Sequence, residues 1–180
     1  MTLYVQRELP GLETDGVVLH VAPDRPMGTV LRKVAGSRYV RANLHPPRVE
    51  VAMDIEHATL RDGAVALLII SHVLEHVADA GLAMAEMARV VQPGGRAIAL
   101  VPIHPTNAHT VEDPAVTDPK ERARVFGQHD HVRWFGHDDY VARLETAGFA
   151  VDVLHYAEAF TSEEQARYGL TDVPLYICKR

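Results

Sequence analysis

The stretch "AVALLIISHVLEHVADAGLAMAEMARVVQPGGRAIALVP" at residues 64–102 decides the fold. Residues 64–72 are apolar along almost their whole length, which is typical of a strand that is covered on both faces. Met84 and Met87 begin a series of apolar residues at helical spacing, which predicts a helix with one buried face. "QPGG" ends that helix, and residues 96–102 again have the pattern of a buried strand. This order of strand, helix and strand predicts a parallel sheet.

The same alternation is visible on the N-terminal side of this stretch. "VVLHVAPDRP" at residues 17–26 begins as a buried strand and contains no glycine, although such strand-to-helix turns in nucleotide-binding folds are usually glycine-rich. From Met27 onwards an apolar face at helical spacing predicts a helix that ends near Gly36. Two short strands are expected next, at residues 37–44 and 49–55.

Beyond residue 102 the regular alternation stops. Residues 103–136 are rich in proline, histidine and charged residues, with one short helical pattern near residues 118–126. A connection of this length inside a compact domain is usually a lid or a binding loop, so we expect it to cover the site. A helix ending at Gly148 and two strands, at residues 149–156 and 173–179, complete the predicted elements.

Composition restricts the class of protein. A chain of 180 residues favours a single domain over residues 1–180, with residues 1–16 as a short N-terminal arm. The net charge of -6 argues against nucleic-acid binding, which favours a basic surface. The apolar run at residues 64–70 is too short to cross a bilayer, and the N-terminal residues lack the apolar core that a secretion signal needs. With Cys178 as its only cysteine, the chain is expected to be cytoplasmic, without disulfides or membrane contact.

Three motifs in the expected order resemble one large family. They are "LHVAPD" at residues 19–24, "SHVLEHVADAGLAMAEMARVVQPGGRAIALVPI" at residues 71–103, and the region from "EDP" to "FGQHDHVRWFGHDDYVARLETAGF" at residues 112–149. These motifs resemble the class I S-adenosylmethionine-dependent methyltransferases, in the branch with an LHxAPE-type first motif and HVLEHV. The resemblance implies an α/β fold: a Rossmann-like, mostly parallel sheet of seven strands, with helices on both faces and the last strand antiparallel. It also implies S-adenosylmethionine as cofactor.

The resemblance places cofactor-binding residues at the ends of four strands. They are His20, Ala22, Pro23, Asp24, Asn43, Asp54, Ile55, Ser71 and His72. Two positions depart from the family pattern, because Asn43 replaces an acidic residue that holds the ribose and Ala66 replaces an aspartate. An asparagine can donate and accept hydrogen bonds but lacks the charge, so a loss of roughly 1–3 kcal/mol in cofactor binding is expected.

Candidate catalytic and substrate residues follow the fourth predicted strand and lie in the long loop. Methyl transfer needs an aligned acceptor and, for alcohols, phenols or protonated amines, a base. Histidine suits that role near neutral pH, which indicates His76, His129 and His131 as catalytic candidates. The candidates for substrate binding are Glu75, His104, Arg133 and Trp134.

These residues also have other interpretations. His72 and His76 have a spacing compatible with a metal pair on a helix, and His129 and His131 could bind metal together with His104 or His109. A structural role for His76 and simple packing of the loop histidines are the alternatives, and the sequence assigns no metal site.

Three functions agree with the sequence. A small-molecule methyltransferase fits best, since the chain is short and acidic. The second is an enzyme of the same fold that has lost methyl transfer and uses cofactor-independent or histidine- and metal-assisted chemistry. The third is a non-catalytic partner subunit. A homodimer would cover a cleft that a short N-terminal arm leaves open.

Overall fold

The computed structural model describes residues 1–9 and 16–180, and these contain nine strands and six helices. The strands are β1 (Val17–Val21), β2 (Tyr39–Asn43), β3 (Val51–Ala52), β4 (Val65–Ser71), β5 (Val91–Leu100), β6 (Val111–Glu112), β7 (Arg133–Trp134), β8 (Ala150–Leu154) and β9 (Leu175–Lys179). The helices are α1 (Thr2–Glu8), α2 (Arg25–Ala35), α3 (Ala80–Val90), α4 (Pro119–Phe126), α5 (His137–Thr146) and α6 (Ser162–Tyr168).

Seven of the strands form one sheet in the order β3-β2-β1-β4-β5-β9-β8. The pairs from β3 to β5 are all parallel, whereas β9 runs antiparallel to both β5 and β8. The predicted Rossmann-like sheet, mostly parallel with an antiparallel last strand, is therefore confirmed. Its strand order reverses between β1 and β4, and such a reversal opens a crevice at the carboxyl ends of the strands.

The core lies on both faces of this sheet. Alternate residues of β1 point to opposite faces, so Val18 packs with α1 and α2 while Leu19 packs with α3 and α5. The central strand β4 is buried from Val65 to Ile70, as its continuous apolar sequence predicts.

The N-terminal residues form a helix and not only an arm. In α1, Tyr4 and Val5 are buried in the core that lies beneath α2. The predicted short arm over residues 1–16 thus contains a helix at residues 2–8, which packs on α2 through Tyr4 and Val5. The rest of the predicted arm, residues 10–15, lies outside the described residues.

Three other elements differ from the predicted bounds. Strand β3 contains only Val51 and Ala52, because the Asp54 side chain then caps a short 3₁₀ helix. Strand β5 begins at Val91, before the glycine pair, and its pairing with β4 is irregular at that point. Helix α6, capped by Thr161 and Glu164, was not predicted and lies between the last two strands.

The region from 103 to 136, called the lid below, is partly regular. Strands β6 and β7 pair antiparallel, and α4 lies between them along the chain. Gly136 follows β7, and a Cβ atom there would collide with the backbone of Ala108 and His109. A glycine is therefore needed where the lid passes close to its own chain.

Candidate functional site

A cleft of about 210 Å³ lies at the carboxyl ends of the parallel strands. Its walls come from the segments that follow β1, β2, β3 and β4. The lining residues are Val21, Ala22, Asn43, Leu44, Met53, Asp54, Ile55, Glu56, Val73, His76, Val77 and Ala78. This is the position at which open α/β sheets bind ligands.

The turn after β1, residues 22–24, builds one wall without glycine. Ala22 has φ of +48°, in the left-handed region that favours glycine, and its amide donates to Ala42 O at 2.9 Å. Asp24 then begins α2 by accepting a hydrogen bond from Met27 N at 2.8 Å. Ala22 thus adopts the backbone conformation for which such a turn usually has a glycine. Pro23 and Asp24 belong to the same turn but do not line the cleft.

His20 lies on the other side of the sheet from the cleft-lining Val21. Its side chain is buried, and its Nδ1 is 3.2 Å from the hydroxyl of Tyr39. Burial lowers the pKa of His20, with a smaller opposing effect from Asp24. Because the imidazole packs against the α2 side of the sheet, the structure places this predicted cofactor residue away from the cleft.

Asn43 and Asp54 line the cleft at the ends of β2 and β3. The Oδ1 atom of Asn43 accepts from Leu44 N at 2.8 Å, and that of Asp54 accepts from Glu56 N at 2.9 Å. Each hydrogen bond fixes its side chain in one orientation. Ile55, which follows Asp54, is buried and supplies an apolar wall.

Sequence reasoning missed Glu56, which joins two walls of the cleft. Its carboxylate accepts from Ala78 N at 3.3 Å and from Asp79 N at 2.7 Å. The segment after β3 is thereby tied to the segment after β4. Its position two residues beyond Asp54 was the only signal in the sequence. The apolar lining residues Leu44, Met53 and Val73 were missed in the same way.

The segment after β4, residues 72–78 and called the β4 turn below, begins with a second left-handed residue. His72 has φ of +56° and an exposed side chain, and its Nδ1 lies 3.2 Å from Glu75 Oε1. Glu75 itself is buried, with 1% of its side chain exposed, and its Oε2 has no hydrogen-bond partner. Ser71 ends β4 but is not among the cleft-lining residues.

Two of the three candidate catalytic histidines meet beside this carboxylate. The rings of His76 and His131 pack edge to face, with 4.8 Å between their centroids. Nδ1 of His76 is 3.3 Å from Asp130 O, and Nδ1 of His131 is 3.1 Å from Phe126 O. His129 is not part of this contact: its side chain is 71% exposed, beside Asp130.

Arg133 fastens the lid to the β4 turn. Its side chain is buried and donates to the carbonyls of Leu74, Val77 and Ala78 at 2.6–2.9 Å. Its Nε also donates to Glu112 Oε2 at 3.0 Å. The guanidinium of Arg133 is therefore occupied by hydrogen bonds within the protein. This residue, predicted to bind substrate, links the lid to the site, and its set of contacts is called the clasp below.

The other predicted lid residues, Trp134 and His104, stack on each other with 4.6 Å between ring centroids. His104 Nδ1 accepts from Asn107 N at 3.0 Å, which stabilises a turn in the lid. Neither residue lines the cleft. A second cavity of about 460 Å³ lies between the lid and the β4 turn and includes Arg133, Glu112 and Ala78 in its lining.

Comparisons with known proteins agree with this architecture. Residues 17–99, from β1 into β5, match the family model described as a methyltransferase domain. No curated protein matches the chain by sequence. The chain is similar to a solved S-adenosylmethionine-dependent methyltransferase from Archaeoglobus fulgidus, with 13% identity, a TM-score of 0.61 and coverage of 99% of this chain and 92% of that one.

Two further solved structures show the same fold. An S-adenosylmethionine-dependent methyltransferase from Mesorhizobium loti has 16% identity, a TM-score of 0.57 and coverage of 98% and 93%. The 1,6-didemethyltoxoflavin-N1-methyltransferase of Burkholderia thailandensis, solved with 1,6-didemethyltoxoflavin and S-adenosylhomocysteine, has 13% identity, a TM-score of 0.60 and coverage of 98% and 76%. Residues 17–99 therefore match a methyltransferase domain, and the chain has the fold of these S-adenosylmethionine-dependent methyltransferases. In the described part of the chain no helix has the length and hydrophobicity needed to span a membrane.

Proposed function

We propose that this methyltransferase domain binds S-adenosylmethionine in the cleft and transfers its methyl group to a small molecule. The observation that carries the proposal is the convergence of Ala22, Asn43 and Asp54 on one cleft. Three adjacent strands contribute these residues, so one elongated ligand would contact all three strand ends. Ala22 brings the turn after β1 to the cleft, and Asn43 and Asp54 supply polar groups for the hydroxyls and the base of the ligand.

The departure at Asn43 weakens the cofactor site but leaves it able to bind. Asn43 has a carboxamide where a carboxylate would accept two hydrogen bonds from the ribose. Its Oδ1 already accepts one hydrogen bond from Leu44 N. We therefore assign most of the polar selectivity for the cofactor to Asp54, whose side chain carries a charge.

The acceptor is proposed to react where the β4 turn meets the lid. In the reaction, a lone pair of the acceptor attacks the methyl carbon and the carbon–sulfur bond breaks, which leaves S-adenosylhomocysteine. An acceptor that carries a proton must lose it to a base. His76 both lines the cleft and contacts His131, so this histidine pair is the proposed base, with Glu75 beside it.

The position of the lid supports a small acceptor. The lid contacts the β4 turn through Arg133 and through Val132 N, which donates to Glu75 O at 3.0 Å. The cavity of about 460 Å³ beside this contact is of the size that small molecules occupy. The net charge of -6 disfavours a nucleic-acid acceptor.

Calorimetric titration with S-adenosylmethionine and S-adenosylhomocysteine tests the cofactor site. Asp54→Ala is expected to weaken binding about tenfold or more, because a hydrogen bond to a charged group contributes about 1.5–3 kcal/mol. The matched control is Asp152→Ala, which removes an exposed aspartate from β8 at the far edge of the sheet. Equal affinities for the two variants, or no binding by the wild-type protein at millimolar ligand, would contradict the proposal.

A further inference from the structure

We propose that Glu75, His76 and His131 form a binding site for one divalent transition-metal ion of the zinc or iron type. One potential ligand atom from each residue lies within 4.8 Å of those of the other two. Tetrahedral zinc with bonds of about 2.0–2.1 Å places its ligands roughly 3.3 Å apart, so small side-chain rotations would close the site. Two imidazoles and one carboxylate are a frequent ligand set for such ions.

The buried carboxylate provides an independent reason to expect a cation. Glu75 has 1% of its side chain exposed, and its Oε2 is buried without a hydrogen-bond partner. A buried carboxylate oxygen with no partner is costly in a folded protein. The other oxygen, Oε1, is paired with His72 Nδ1 at 3.2 Å, which leaves Oε2 as the free ligand atom.

Both histidines are oriented as metal ligands usually are. A backbone carbonyl can only accept a hydrogen bond, so Nδ1 carries the proton in His76, beside Asp130 O, and in His131, beside Phe126 O. The lone pair of each imidazole is then on Nε2. Metal-binding histidines commonly donate their second ring nitrogen to a carbonyl or carboxylate in this way, which fixes the ring and increases its basicity.

The three residues come from two parts of the chain. Glu75 and His76 belong to the β4 turn, whereas His131 belongs to the lid. An ion bound here would therefore join the lid to the sheet beside the clasp formed by Arg133. The protein could bind the ion without transferring a methyl group, but a role of the ion in catalysis rests on the proposed function. With the ion bound, Nε2 of His76 is occupied, and a Lewis acid would promote loss of the acceptor proton in place of the free imidazole.

The metal itself is the probe that tests this site. Protein without an affinity tag is freed of metal with a chelator and titrated with Zn²⁺ by calorimetry, in the absence of S-adenosylmethionine. We expect one ion per chain, and at least tenfold weaker binding in His76→Ala, His131→Ala and Glu75→Gln. His76 is partly exposed, so its substitution is the variant least affected by misfolding.

Two control variants separate this site from surface binding. His129→Ala removes an exposed histidine two residues from His131, and His155→Ala disrupts an exposed cluster with Glu158 and Asp172. Both are expected to retain wild-type stoichiometry and affinity. The visible absorption of bound Co²⁺ should also change in Glu75→Gln, whose carboxamide is a poorer ligand.

The proposal is overturned if the wild-type protein retains no ion or if ligand and control variants bind zinc equally well. Loss of binding only in His155→Ala would also overturn it, because the exposed cluster would then be the site. S-adenosylmethionine affinity of the metal-free protein is measured separately. A protein that binds zinc but not S-adenosylmethionine contradicts the proposed function alone, and the opposite result contradicts the metal site alone.

Discussion

The turns after β1 and β4 use the same unusual backbone conformation but are held in different ways. Ala22 and His72 both have positive φ, at +48° and +56°. The turn after β1 is fixed locally by Asp24, which caps the next helix. The β4 turn is fixed from outside, mainly by hydrogen bonds from Arg133 of the lid and also by Glu56, which accepts from Ala78 N. One wall of the cleft is thus part of the core fold, whereas the other depends on docking of the lid.

The largest loss of stability is expected from Arg133→Ala. This substitution removes the hydrogen bonds that hold the β4 turn and leaves the turn after β1 unchanged. Three carbonyls of the β4 turn lose their donor and Glu112 loses a partner, so we expect a loss of about 3 kcal/mol in the free energy of unfolding. Urea denaturation measures this loss. Fluorescence of Trp134, the only tryptophan, reports on the lid separately.

The control for this prediction is Arg124→Ala. Arg124 is exposed and pairs with Glu121 on the surface of α4, so its removal should change stability by less than about 1 kcal/mol. Hydrogen exchange of the two turns tests the comparison directly. In Arg133→Ala the amides of the β4 turn should lose protection while those after β1 keep it. Equal loss in both turns would show that the walls are not independent.

Glycine substitutions in the two turns test the same comparison, with smaller expected changes in stability. Ala22→Gly relieves a left-handed alanine at the cost of greater flexibility in the unfolded chain, so a gain of about 0.5–1 kcal/mol is expected. His72→Gly relieves the same strain but also removes the partner of Glu75 Oε1, so a net loss of about 1 kcal/mol is expected. Thermal unfolding of both variants measures the difference. The same sign for both would contradict the stabilising role of the pair formed by His72 and Glu75.

The smallest predicted effect is a difference in acid sensitivity. His20 is buried beside the β1 turn and its folded pKa is lowered by burial from its ordinary value of 6.5. The unfolded chain therefore takes up a proton more readily, and stability falls as the pH drops below about 6.5. Urea denaturation at pH 7 and at mildly acidic pH measures this fall, which should be smaller in His20→Gln.

The contribution of the lid to stability should change only at a lower pH than the contribution of His20. The hydrogen bond from Arg143, and to a lesser extent that from Arg133, hold the pKa of Glu112 below its ordinary value of 4.5 despite partial burial. A carboxylate with a depressed pKa stabilises the fold above its ordinary value and loses this effect as the pH falls through the depressed value. The stability difference between the wild-type protein and Glu112→Gln in urea denaturation should therefore stay constant across the range in which His20 acts. An earlier change would contradict this order.

The sequence predicted the sheet well because its signal is strong and local. Continuous apolar runs such as 64–72 specify buried strands, and apolar residues at helical spacing specify the helices that cover them. The strands whose bounds differ from the predicted ones lie where a side-chain cap or an irregular strand pairing overrides local propensity. Asp54 ends β3 by capping a 3₁₀ helix, and the irregular pairing at Val91 starts β5 early.

The site was harder to predict because its geometry depends on contacts distant in sequence. Asn43 and Asp54 were predicted from the resemblance, which places them after strands, and the strand order brings both to the cleft. The pairing of His76 with His131 joins residues of the β4 turn and the lid, and no local pattern specifies it. The hydrogen bonds from Arg133 to the β4 turn could not be predicted, because the main-chain carbonyls that a side chain binds cannot be recognised in a sequence.

The peptide group between Ala78 and Asp79 is one link between the cofactor side and the lid. Asp79 N donates to Glu56 beside the cleft, and Ala78 O accepts from Arg133 of the lid. A ligand that displaces the segment of Glu56 therefore also acts on the lid through this peptide group. Coupling of this kind is reciprocal: if lid docking strengthens cofactor binding by some factor, bound cofactor strengthens lid docking by the same factor. Cofactor binding and lid docking would then be coupled through a main-chain amide and a main-chain carbonyl, which substitution of the Ala78 side chain does not remove.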